Sequence, residues 1–281
     1  MQHPVFVRPY LWDGPYALMR DERRARHDEG LCAEVRTHWM APDERIIIRS
    51  SEIIGYPEAY LYDDHLPPFD ADGRGRDYRH NRFTWQIDGP PRELSATCPV
   101  TGKGEFTIKL TAEDDAVRVH LEIRSDLPQM GPLDWSFCII AYECPTIGNP
   151  GLDRTFLFDG NELRCLRELS GSAKCELYPI AGSGGFVPKA FRTMPFGPAS
   201  SEASLIAVES LNGNRTVALG FDQSYLCYSN PENMCFHADP FLGTIEHRGD
   251  ISWADGRLYL IDGDAQKAFD RYQEDFLRPM I

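Results

Sequence analysis

The run Cys235-Phe236-His237-Ala238-Asp239-Pro240, with Glu246 and His247 close behind, gathers residue types that proton transfer needs. An imidazole exchanges protons near neutral pH, and a neighbouring carboxylate orients it or raises its pKa. In an extended segment side chains alternate, so His237 and Asp239 fall on one face and are expected to point into one cleft. His237 is then the general acid/base and Asp239 its orienting partner. The same stretch also suits a divalent metal, with nitrogen from His237 and His247 and oxygen from Asp239. The plain structural alternative is a hydrogen-bonded loop histidine followed by an Asp-Pro turn.

A second group is Arg76-Asp77-Tyr78-Arg79-His80-Asn81-Arg82, ahead of Phe83, Trp85 and Ile87. Arginine grips a carboxylate with a planar fork, while Tyr and His move protons. His80 is thus a further catalytic candidate, and Arg82, Tyr78, Arg79 and Trp85 are candidate substrate contacts. They suit the carboxylate of a uronic acid, as in a polysaccharide lyase, or the hydroxyls of a neutral sugar. The alternative is a polar loop whose arginines pair with Asp70, Asp72 and Asp77. Tyr62-Asp63-Asp64-His65 resembles a hard-cation site only in composition, and reads as a solvated turn. Ala181-Gly182-Ser183-Gly184-Gly185 satisfies a relaxed nucleophile-elbow pattern, but Phe186-Val187-Pro188 disfavours the helix that such a serine needs behind it. No GxGxxG, P-loop or HExxH is present, so dinucleotide, P-loop phosphate and zincin chemistry lack support.

The elements that must position these residues are mostly strands. Phe106, Ile108 and Leu110 alternate with Thr107, Lys109 and Thr111; beyond Glu113-Asp114-Asp115 the alternation resumes at Val117, Val119, Leu121 and Ile123. Period two with a polar turn predicts an antiparallel hairpin with one buried face. Ser204–Glu209 and Thr216–Phe221, joined across Asn212-Gly213, predict a second, because Asn-Gly accepts the positive φ of a tight turn. Further strands are expected near 45–50, 59–62, 82–87, 93–98, 134–142, 154–158, 174–180 and 257–261. Helices are confined to the ends. One spans Pro15 to Asp28, with Arg20, Arg23, Arg24 and Arg26 on a charged face. The other is capped by Asp264 and buries Ala265, Ala268, Phe269, Tyr272 and Phe276. The fold class is therefore mainly β: an antiparallel β-sandwich with short helices near the N- and C-termini. Residues 1–281 read as one domain whose first 40 or so residues are helical or irregular. The Gly- and Pro-rich loops 66–78 and 181–200 are its candidate cleft rims.

The 281 residues carry 43 Asp+Glu against 29 Lys+Arg, a formal charge of -14, which disfavours a nucleic-acid groove. With 42% hydrophobic and 26% charged residues the composition is globular, and no apolar run reaches membrane-spanning length. The start Met1-Gln2-His3-Pro4-Val5 lacks a leader pattern, so a cytoplasmic location is expected, or a secreted one if a leader has been removed. None of the eight cysteines is spaced as CxxC, so they read as buried thiols packing as small hydrophobes, with disulfide pairing the alternative.

The strand Asp115-Ala116-Val117-Arg118-Val119-His120-Leu121-Glu122-Ile123, the series of hairpins, the histidine-bearing loop and the last strand Arg257-Leu258-Tyr259-Leu260-Ile261 resemble galactose-mutarotase-like β-supersandwich proteins. That group includes sugar epimerases and domains of carbohydrate-active enzymes. Aldose epimerases of the group use a histidine acid and a glutamate base. Here Leu127-Pro128-Gln129-Met130 stands where their histidine segment follows the central strand, so no catalytic residue is carried over. The resemblance implies a carbohydrate-active enzyme using general acid/base chemistry on a saccharide or sugar derivative, with the isomerase, lyase and glycoside-cleaving subclasses left open; the expected partner is a saccharide or small-molecule substrate. The alternatives are a non-catalytic carbohydrate-binding or assembly module, and a metal-dependent enzyme centred on His237 and His247. A divalent metal is the one cofactor under consideration. Neither a nucleic acid nor a membrane is expected as a partner, and the oligomeric state is left open.

Overall fold

The computed structural model describes residues 5–10, 32–56, 59–63, 86–87, 92–100, 102–160, 162–184 and 191–277. Among them, two antiparallel sheets face one another. The first runs β1 (Phe6–Pro9), β2 (Cys32–Arg36), β3 (Ile46–Tyr56), β9 (Met130–Ile140), β16 (Cys235–Ile245), β15 (Ser224–Asn230) and β12 (Leu177–Pro179), with β4 (Ala59–Asp63) paired to β3. The second runs β11 (Leu163–Cys165), β10 (Thr155–Phe158), β13 (Leu205–Glu209), β14 (Thr216–Phe221), β17 (Ile251–Ile261), β8 (Ala116–Ser125), β7 (Gly104–Ala112), β6 (Glu93–Val100) and β5 (Gln86–Ile87).

The alternation in β7 and β8 has its expected consequence. Phe106, Ile108, Leu110, Val117, Val119, Leu121 and Ile123 are buried, and the two strands pair from Gly104–Ser125 to Ala112–Val117. Their inward side chains meet those of β9 across the sandwich, where Phe106 and Trp135 make an edge-to-face contact at 5.4 Å. Phe137 and Phe221 repeat it at 5.5 Å. Aromatic pairs of this geometry add about 0.5–1.5 kcal/mol beyond the area they bury.

The hairpin β13–β14 forms with the expected strands but a longer turn. Ser210 N–H donates to Arg215 O, and Gly213 N–H to Ser210 O, so four residues rather than two cross the end. Gly213 has φ 69°, the left-handed region that asparagine-glycine turns favour. At the C-terminal end, Asp264 caps α2 (Ala265–Tyr272) by accepting from Lys267 N–H at 3.0 Å. Ala265, Ala268, Phe269 and Tyr272 pack on the outer face of the second sheet, against Ala116, Ala218 and Tyr259. The only other α-helix among the described residues is α1 (Leu166–Ser170).

Two expectations are corrected. Strands β1 and β2 lie inside the first 40 residues, which the sequence marks as helical or irregular; the 15–28 helix falls outside the described residues. The segment around His237 is not a loop but the N-terminal half of β16, which the list of expected strands omits. The reason is physical. Positions 235–240 are buried on both faces, so the period-two signature of a half-solvated strand is missing.

None of the eight cysteines is in a disulfide, and seven are buried. The 181–184 turn follows β12 and places Gly182 and Gly184 at positive φ; residues 185–190, where the helix of a nucleophile elbow would begin, lie outside the described residues.

Candidate functional site

The first sheet turns Leu133, Trp135, Phe137 and Ile139 of β9 toward the second sheet. Asp134, Ser136 and Cys138 must therefore point the other way. The same alternation on β16 buries Phe236 and Ala238 in the sandwich and places Cys235, His237 and Asp239 on the opposite face. In register, one row crosses that face: Leu177, Tyr228, His237, Cys138, Arg49 and Cys32, contributed in turn by β12, β15, β16, β9, β3 and β2. Polar groups dominate its centre, and all are buried: Arg49, Asp134, Ser136, His237 and Asp239.

His237, 2% exposed, stacks on the Tyr228 ring with centroids 4.0 Å apart and an interplanar angle of 12°. Its Nδ1 lies 3.5 Å from Asp239 Oδ1. Burial works to lower the imidazole pKa, but the Asp239 hydrogen bond and the neighbouring Cys235 outweigh it and the pKa rises to about 10. Asp239 is held by the fold. Its Oδ1 accepts from Phe137 N–H at 3.0 Å, and its Oδ2 accepts from the Tyr225 hydroxyl at 3.5 Å. A bulge between Ser224 and Leu226 supplies Tyr225 as the extra residue. Ser136 Oγ lies 3.4 Å from Tyr228 Oη, tying β9 to β15.

Asp134 completes the array. Desolvation and the charge of Asp239 push its carboxyl up to about 8, while Tyr225 offers a hydrogen bond in the opposite sense. Its Oδ2 is buried without a hydrogen-bond partner among the described residues. Gly55 of β3 leaves the room: a Cβ there would lie 2.9 Å from Asp134 Oδ1. Glu34, also on this side of the sheet, is committed elsewhere, with Arg8 at 2.5 Å and Arg45 at 3.4 Å.

His237 and Asp239 thus stand together on one strand face. His247 does not join them. It is exposed in the turn beyond β16, past roughly eight strand residues or about 26 Å, so His237 and His247 cannot ligate one ion. His80, Arg82, Tyr78, Arg79 and Trp85 lie outside the described residues, as do the carboxylates at 70, 72 and 77. The sequence reading missed Asp134, Ser136, Cys138, Tyr225 and Tyr228. For the β9 residues a signal existed: Asp134, Ser136 and Cys138 alternate with Leu133, Trp135, Phe137 and Ile139, which marks a second, polar face on a strand otherwise apolar.

No family model and no curated protein matches this chain. Solved structures do. A galactose mutarotase-related enzyme from Lactobacillus acidophilus is similar at a TM-score of 0.47 and 8% identity, over 83% of this chain and 91% of that one. An aldose epimerase homologue from C. elegans is similar at 0.41 and 9%, over 84% and 97%. The α-N-acetylgalactosaminidase NagBb from Bifidobacterium bifidum, in complex with GalNAc, is similar at 0.45 and 10%. There the match covers 98% of this chain but 38% of the enzyme. The two-sheet architecture of this chain rests on its own strand pairing.

Proposed function

We propose that this protein is a carbohydrate-active enzyme whose substrate, a saccharide or sugar derivative, reacts at the outer face of the first sheet by general acid/base chemistry. One observation carries the reading: a buried carboxyl at Asp134, with its pKa pushed up to about 8, stands on the same sheet face as the His237–Asp239 pair. A proton donor works best when its pKa lies near the operating pH, and two titratable groups driven apart by their surroundings divide the roles of acid and base. Asp134 holds a proton at neutral pH and can release it. Asp239 orients His237 and, by its charge, keeps Asp134 protonated. His80 and Arg82, with Tyr78, Arg79 and Trp85, are proposed as the substrate-facing groups. The mutarotase-related and glycosidase neighbours are consistent with a sugar substrate; the reaction subclass stays open among isomerase, lyase and hydrolase.

The test is turnover of a panel of aldoses, uronides and oligosaccharides, followed by NMR and mass spectrometry. Wild-type protein is expected to form product, and Asp134→Asn to lose about 100-fold or more of the rate while keeping its melting transition. Undiminished turnover in a folded Asp134→Asn removes the acid/base assignment. Saturable glycan binding without product favours the second reading, a carbohydrate-binding module. That reading has its own support: Trp253, 54% exposed, lies stacked beside His120, whose Nδ1 is 2.9 Å from Asp255, on the outer face of the second sheet. An exposed indole there can stack on the apolar face of a sugar ring.

A further inference from the structure

The residue row that carries His237 also brings two thiols to it. Cys138 of β9 is the cross-strand partner of His237, and Cys235 precedes it by two residues on the same face of β16. One ligand atom from each of the three lies within 4.8 Å of the others, and all three residues are buried. Buried thiols ordinarily pack as small hydrophobes, as Cys138 and Cys235 do here against Ile47, Ile140 and Cys32. What distinguishes this pair is the imidazole between them and the carboxylate behind it: Asp239, two residues further along the strand, lies 3.5 Å from His237 Nδ1.

We infer that Cys138, Cys235 and His237 form a binding site for a soft or borderline transition-metal ion, Zn²⁺ being the ion that its donor set fits best. Zinc bonds of about 2.0–2.3 Å in tetrahedral geometry separate neighbouring ligand atoms by about 3.5–3.8 Å, so donors within 4.8 Å of one another need to draw together by about 1.3 Å at most. Binding releases three protons to solvent, one from each thiol and one from the His237 imidazolium, as two sulfur–zinc bonds and one nitrogen–zinc bond form. The resulting two thiolates, one neutral imidazole and Zn²⁺ sum to zero charge, which a buried site tolerates. Asp239 takes the place of the outer carboxylate that orients a metal-bound histidine, and Phe137 N–H in turn fixes Asp239. Three protein ligands leave a fourth position, the arrangement of a zinc ion that can accept water or a substrate oxygen. The ion belongs to a different residue set from the His237–His247 pair that the sequence suggests.

The inference shares a residue with the proposed function, since a metal-bound His237 is a ligand and leaves Asp134 as the proton-transfer group. The two are tested apart. Metal content is measured by elemental analysis on the full chain refolded with and without Zn²⁺, and again with Co²⁺, whose thiolate charge-transfer absorption reports sulfur ligation without any variant. About one Zn²⁺ per chain and a cobalt–thiolate band are expected. Cys138→Ser and Cys235→Ser should each lower retention after dialysis at least 10-fold, whereas Cys98→Ser, a thiol buried in the sandwich core, should retain the ion. Far-UV circular dichroism accompanies each variant. Absence of the cobalt–thiolate band in refolded wild type overturns the site whatever the variants do, as does undiminished retention in folded Cys138→Ser. Loss of sugar turnover in Asp134→Asn with metal content intact bears on the enzymatic reading alone.

Discussion

At the scale of single residues, the unusual feature is a set of polar groups buried on a sheet face where each must be held in place. Asp239 illustrates how. It accepts the backbone N–H of Phe137 and faces the Tyr225 hydroxyl, so its carboxylate does structural service on β9 and β15 while orienting His237. Replacing it separates these roles. Asp239→Asn and Asp239→Ala remove the same charge, but asparagine keeps an oxygen for Phe137 N–H and alanine leaves that buried donor unpaired. Alanine is therefore expected to be less stable than asparagine by about 1–3 kcal/mol, measured by urea unfolding. Equal stabilities would mean that Phe137 N–H finds another acceptor. Of these residues the sequence made His237 and Asp239 legible, because their types and two-residue spacing speak directly of chemistry. The alternation of β9 marks Asp134 as facing away from the core, but nothing local to it names its partner, Asp239, more than a hundred residues away.

At the scale of elements, legibility followed local signals: one-sided solvent contact in β7 and β8, and the Asn212-Gly213 turn between β13 and β14, which are buried on both faces. Strands β7 and β8 are buried on one face and wet on the other, so their alternation can be read directly. Strands β15 and β16 are buried on both faces, and neither stands among the expected strands. The C-terminal helix α2 was legible for the same reason as the hairpins: its apolar stripe and Asp264 cap are local features. Asp264→Ala is expected to cost about 1 kcal/mol, because the Lys267 N–H loses its acceptor, and thermal unfolding should register the change. A variant as stable as wild type would show that water replaces the cap without loss.

At the scale of the whole molecule, the sandwich sets the electrostatics of its own site. Around Asp134 stand Asp239 from β16, the Tyr225 phenol from β15, itself raised well above its ordinary value by burial and the two carboxylates, and the bare Gly55 backbone of β3. The folded protein keeps a proton on Asp134 up to about pH 8, whereas the unfolded chain releases it near pH 4. Stability held through that proton is complete below about pH 4 and is lost as pH rises toward 8. Compared with Asp134→Asn, which cannot ionise, wild type should lose stability across this window and run parallel above it. A gap between the two proteins that stays constant from pH 4 to 8 would remove the buried protonated carboxyl.

The sequence by itself determined the β class, both principal hairpins, the capped terminal helix and the His237–Asp239 pair, since each rests on periodicity or spacing within a few residues. Only the tertiary structure decided that Cys138 of β9 meets Cys235 and His237 of β16, that Asp134 shares a face with Asp239, and that His247 lies at the far end of the strand. Those relations depend on strand order and register across about a hundred residues of chain, and register is the product of packing the whole sandwich at once.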